Sequence, residues 1–204
     1  MTSSLEHKIE QHFREYYDMT EGELFDVLRL TPTFAKSRLH LITKGIIERF
    51  EDPRAFAGED FELKTVRFES DGSLKESMSF KQIDYEEIIH EEWQSSYWHL
   101  TLRKRFMFVI FQKDGQQIVR LQKVKFWSMP ETDLETARQF WEHTRRNIQA
   151  NDFEHFIAQS DDYICHVRPK ARNSRDLAPT ANGGVAKKKA YWLNSDYIRQ
   201  VIKS

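Results

Sequence analysis

Residues 61–68 read Phe-Glu-Leu-Lys-Thr-Val-Arg-Phe, and this alternation constrains the fold more than any other stretch. With a period of two, Glu62 and Lys64 fall on one face of a strand and Leu63 on the other. A carboxylate and an ammonium side by side on a strand form an arrangement suited to metal-assisted phosphodiester chemistry. A hundred residues later the chain runs Ile164-Cys165-His166-Val167-Arg168-Pro169-Lys170-Ala171-Arg172-Asn173, a strand pattern that ends in a basic loop. The two segments together point to a nuclease-like scaffold.

The 204 residues fit one domain with a substantial core, and 39% hydrophobic with 13% aromatic residues excludes a disordered chain. No run approaches the roughly 18 apolar residues of a membrane span. No apolar leader follows Met1, so a cytoplasmic protein without membrane contact is expected. Cys165 is the sole cysteine, which rules out an intrachain disulfide and a cysteine-rich zinc site. The net charge is −1, yet residues 164–204 carry nine Lys and Arg against two Asp. That local excess suits phosphate binding, and it equally suits a solvated loop.

Residues 4–50 read as a helical lobe, with Leu5, Ile9, His12, Phe13 and Tyr16 on one face of a first helix. Thr20-Glu21-Gly22-Glu23 fits a capping box opening a second helix. A third follows Thr33 and carries Leu39, Ile42, Ile46 and Ile47. Pro53 and Gly58 break the chain before the strand at 61–68. Asp71-Gly72 predicts a hairpin to a strand at 74–80, and Asp84 with Glu87 predicts a helix through Trp93. Strands at 105–111 and 117–127 form a second hairpin across Asp114-Gly115. A helix at 131–150, a strand at 163–167, an exposed loop at 169–189 and a helix at 195–202 complete the chain. The expected fold is α/β: a central mixed sheet flanked by helices, with lobe 1–50 and core 51–204 in a single domain 1–204.

The Glu-x-Lys pair has a clear chemical use: Glu62 would hold Mg²⁺ while Lys64 orients water or steadies the phosphate. The same pattern also occurs on ordinary solvated strand faces. A working site needs a second carboxylate, and Asp52, Glu59 and Asp60 are nearby; Asp60 shares the face of Glu62 and is the metal-ligand candidate beside it. Lys104 would bring a further ammonium, or protect a strand edge. Cys165 and His166 point to opposite faces and form no dyad. The tryptophans at 93, 98, 127, 141 and 192 read as packing residues.

The order Glu62-Leu63-Lys64-Thr65, Lys75-Glu76-Ser77-Met78-Ser79-Phe80, Leu102-Arg103-Lys104-Arg105, Phe126-Trp127-Ser128-Met129-Pro130, Val167-Arg168-Pro169-Lys170-Ala171 and Tyr191-Trp192-Leu193-Asn194 resembles the family of the mismatch-repair nicking enzyme MutH and the Sau-type GATC-cutting restriction endonucleases. It is most similar to the C-terminal MutH-like domain of the Sau type. The resemblance implies a restriction-endonuclease-like fold and GATC duplex recognition. It also implies a division of labour, in which one copy cuts and the other is an allosteric effector. Glu62, Lys64 and Lys104 match the catalytic pattern, whereas Ala55 replaces its Asp and Leu41-Ile42-Thr43 offers no Glu. Arg168, Lys170, Arg172 and Asn173 then fall on the DNA-facing loop, with Arg175, Lys187, Lys188 and Lys189 on phosphates. Expected partners are GATC duplex and a catalytic MutH-like domain preceding this one in a longer chain. Mg²⁺ is a cofactor only if the site is active, with Asp60 or Asp52 replacing the missing carboxylate. A fold retained for protein interaction alone is the third reading.

Overall fold

The computed structural model describes residues 4–56, 61–74, 77–161 and 164–204, which divide into two compact units. The first comprises Met1–Lys75 with Lys104–Ser128, and the second Glu76–Arg103 with Met129–Ser204. Asp60 and Glu59, named above as possible metal ligands, lie outside the described residues.

The first unit contains helices α1 (Ser4–Arg14), α2 (Glu21–Val27) and α3 (Arg38–Ile47) and strand β1 (Phe61–Phe68). Strand β2 (Met78–Gln82) and helix α4 (Tyr97–Leu102) belong to the second unit; the chain then returns through β3 (Arg105–Lys113) and β4 (Val119–Trp127). The sheet of the first unit has the order β1-β3-β4, mixed as expected. β1 runs parallel to β3 with Glu62 opposite Phe106 and Lys64 opposite Phe108, and β4 is antiparallel with Trp127 opposite Phe106. Alternation sends Met107, Val109 and Phe111 to one face, where they share a core with Ile9, Phe13, Leu24, Ile42 and Ile46. Each such burial stabilises the fold by about 1.5–3 kcal/mol, and together they fix which face of β1 turns from the helices. That is the face of Glu62 and Lys64. The capping box forms as read: Thr20 Oγ1 accepts from the Glu23 amide at 3.2 Å while Glu23 Oε2 accepts from the Thr20 amide at 2.7 Å. A seven-residue helix depends on that support.

The second unit is built on an antiparallel sheet, β2 and β5 (Cys165–Pro169) flanking β8 (Lys189–Leu193), with a small hairpin of β6 (Leu177–Pro179) and β7 (Val185–Lys187). One face packs through Tyr191 on Trp98, with ring centroids 4.8 Å apart, and on Phe140 of α5 (Glu131–Gln149). Helix α6 (Ser195–Lys203) closes the chain, burying Ile198, Val201 and Ile202. No helix among the described residues is long and apolar enough to cross a membrane.

Three local expectations are corrected. The Asp71-Gly72 turn forms, with Gly72 at φ 78° and Asp71 accepting from the Ser73 amide, but among the described residues only Leu74 bridges back to Phe68. β2 pairs instead with β8, where Met78 and Phe80 are buried. Asp84 accepts from the amides of Glu86 and Glu87 as a helix cap would, yet residues 85–90 make only turns. Tyr85 is held there by its hydroxyl, which donates to the Lys187 carbonyl, and helix starts later at α4 behind the Ser96 cap. The expected loop at 169–189 contains β6 and β7, turning at Gly183 with φ 77°.

Candidate functional site

β1 carries Glu62 and Lys64 on the face opposite the helical core, and the two side chains close on each other: Lys64 Nζ lies 2.9 Å from Glu62 Oε1, with both side chains about four-fifths buried (18% and 23% exposed). Beside them sits an aromatic cluster, Phe106, Phe108 and Trp127, with centroids 5.4–6.1 Å apart. α3 packs against the same strand, and Thr43 Oγ1 meets Thr65 Oγ1 at 3.2 Å. This brings His40 near Lys64; burial first, then the ammoniums of Lys44 and Lys64, lower its pKa. Lys125 lies in register with Phe108 and therefore in the same cross-strand row as Lys64. Burial, then Lys123, lowers its pKa as well. Lys104 lies in the bend one residue before β3. Its place in the strand alternation is that of Phe106 and Phe108. Asp52 is engaged elsewhere, accepting from the amide and Nε of Arg54.

The second group of expected residues lies in the second unit, along β5 and the β6-β7 hairpin. Arg168 is exposed, with its guanidinium 4.4 Å over the Trp192 ring. On β8, Trp192 is paired with His166, whose ring lies nearly parallel to it at 17°. Lys170 is tied down: its ammonium donates to the Phe80 carbonyl, its amide to Lys188 O, and its own carbonyl accepts from Gln82 Nε2. Asn173 Oδ1 accepts from the Arg175 amide at 2.9 Å, so the amide oxygen shapes the turn. Asp176 accepts from the Arg172 amide and pairs with Lys188; these two contacts, in that order, hold its carboxyl below the usual range.

The lysine run therefore divides three ways. Lys187 is exposed, Lys188 pairs with Asp176, and Lys189 turns inward to the Phe153 carbonyl with its ammonium 4.7 Å over Phe156. Burial lowers the pKa of Lys189, and three equivalent phosphate-facing ammoniums are not what the fold presents. Arg168, Lys170, Arg172, Asn173, Arg175 and Lys187 are exposed, Lys170 with its ammonium engaged by the Phe80 carbonyl. Trp192 under Arg168, and His40 and Lys44 near Lys64, had no sequence signal of their own. Only the pairing of β5 with β8 and the packing of α3 on β1 reveal them.

The family model for the DNA mismatch repair enzyme MutH matches residues 51–139, a span that includes Glu62, Lys64 and Lys104. Over 234 aligned residues the chain is 30% identical to the type II restriction enzyme Sau3AI of Staphylococcus aureus, covering 93% of this chain and 47% of that protein. The chain belongs to the MutH-like family. It spans about half the length of the curated relative it matches.

A MutH-like cleavage site implies a divalent metal, and the described residues do not fit one. Magnesium asks for one or two carboxylates in near-octahedral order, together with substrate phosphate. Here Glu62 is committed to Lys64, Ala55 supplies no donor, and Leu41-Ile42-Thr43 on α3 brings no carboxylate. Among the described residues no three His, Cys, Asp or Glu side chains gather into a group that could hold a metal ion. The remaining chemistry of β1 is that of a partly buried ion pair with further lysines on the same sheet.

Proposed function

We propose that this MutH-like chain binds GATC-containing duplex DNA and acts as the effector half of a restriction endonuclease without cutting DNA itself. The observation that carries the reading is the closure of Glu62 on Lys64, in a chain with Ala at position 55, while the basic face of the second unit stays open. An exposed arginine that lies on an aromatic ring is well suited to guanine, because its planar fork is held in place before the base arrives. Arg168 on Trp192 has that geometry. Arg172, Arg175 and Lys187 would contact phosphates, and the Asn173 amide nitrogen is available to an acceptor on the DNA. A catalytic MutH-like domain in a longer chain would be the unit regulated. The test is a competition binding assay with a GATC duplex against duplexes carrying single-base changes, repeated across salt. GATC preference and a loss of roughly fortyfold between about 50 and 200 mM salt are expected for phosphate contacts from these three side chains. Equal affinity for all duplexes contradicts GATC reading. Salt-insensitive capture of a protein partner in place of DNA would favour an interaction module.

A further inference from the structure

The β6-β7 hairpin leaves one complete face uncovered. Leu177 stands opposite Lys187 and Pro179 opposite Val185, so alternation puts these four side chains on one side of the ribbon and the Ala178-Ala186 pair on the other. All four are exposed, Val185 at 66% and Leu177 at 39%, whereas Ala178 and Ala186 are half-buried. Apolar residues scattered singly over a surface need no explanation, but three that adjoin on one face of a strand pair mark a contact surface. The ribbon is also held firmly. Thr180 is buried at the turn, where its Oγ1 accepts from the Gly184 amide at 3.1 Å, and at the base the Tyr85 hydroxyl donates to the Lys187 carbonyl at 2.6 Å.

Charge selects what covers this face. Between Asp162 and Asp196 the chain has seven Lys and Arg and one acid, Asp176, which is committed to Lys188 and the Arg172 amide. Lys187 shares the apolar face itself, and Arg172 and Arg175 are exposed on the loop leading into β6. An occupant must therefore offer anions along its margins and small apolar groups between them. The major groove of a duplex does both: phosphates line its rims, a two-stranded ribbon fits its width, and each thymine presents a 5-methyl group inside it. We infer that the β6-β7 ribbon enters the major groove, where Val185 and Leu177 read the thymine methyl groups of GATC while Lys187 holds phosphate. The inference rests on the GATC-binding reading above and assigns the thymine part of that recognition to a different element from the one that carries Arg168.

The experiment compares GATC duplexes with duplexes in which deoxyuridine replaces the thymine on one strand or on both, which removes only the methyl group and leaves base pairing intact. Wild-type affinity in competition binding should fall by about fourfold for one methyl and roughly fifteenfold for two. The double variant Leu177→Ala, Val185→Ala should bind the thymine duplex more weakly and bring the thymine-to-uracil ratio close to unity. Val185→Thr, which keeps the β-branched shape of the strand, should lower that ratio with an unchanged melting temperature. A merely structural role for these residues would leave the ratio unmoved. GATC duplexes bound with equal affinity whether they carry thymine or uracil would overturn the ribbon alone, as would an undiminished ratio in both variants. Equal affinity accompanied by self-association of the wild type in sedimentation, lost in the double variant, would give the face to a second copy of the chain instead. No binding to any duplex overturns both this inference and the DNA-binding reading.

Discussion

Part of the acid destabilisation of this protein should come from one side chain, His166, the partner of Trp192 beneath Arg168. His166 is fully buried, and burial drives its pKa from 6.5 to about 4, with the Arg168 charge pushing the same way and the Asn194 contact opposing. The native state therefore holds His166 neutral at a pH where the unfolded chain has already taken up a proton. Stability from this group is complete above the unfolded pKa and is lost as pH falls from 6.5 towards the folded value of about 4. Linkage at about pH 5 gives a loss of about 2 kcal/mol relative to neutral pH, rising towards about 3 kcal/mol at more acid pH. The assay is urea unfolding of wild type and His166→Leu at about pH 7.5 and about pH 5. The leucine variant starts less stable, but its decline on acidification should be smaller by about 2 kcal/mol, because carboxylate titration is common to both proteins. Parallel declines within about 0.5 kcal/mol would refute the argument and place the proton elsewhere.

Other outcomes follow from the same geometry. Arg168→Ala should cost about 1–3 kcal/mol of GATC affinity and relax base preference in the competition assay, and Arg168→Lys should not restore it, since an ammonium has no planar fork. Lys170→Ala should reduce folding stability by about 1 kcal/mol in urea, through loss of the bond to the Phe80 carbonyl, whatever it does to DNA binding. Glu62→Gln should leave duplex affinity within about twofold, because Glu62 serves the ion pair and not the DNA. Thr20→Ala, which removes half of the capping box, should lower stability by about 1 kcal/mol in the same unfolding assay.

What the sequence revealed was what local chemistry dictates. β1 begins and ends where the alternation does, the β3-β4 hairpin turns at Asp114, whose carboxylate accepts from the amides of Gln116 and Ile118, and α5 follows its apolar spacing. The failures are of partner choice. Asp71-Gly72 specifies a turn but cannot specify that β2 will find its burial against β8, more than a hundred residues on in the chain. The Asp84 cap cannot announce that Tyr85 will be claimed by the carbonyl of Lys187. At the candidate sites the residue types were legible and their engagements were not. Lys188 finds Asp176, Lys189 finds a carbonyl at residue 153, and Glu62 turns to the lysine two places along its own strand. Each depends on a geometry that only the assembled sheets create.

The measurement that tests the central claim most directly is incubation of this chain with supercoiled GATC-bearing plasmid and Mg²⁺, beside a plasmid lacking GATC, with nicked and linear products scored and binding followed in parallel. The account predicts a shifted GATC duplex and intact plasmid. GATC-dependent nicking or linearisation, abolished by Glu62→Ala, would contradict it and show that a carboxylate other than one at position 55 completes a working site.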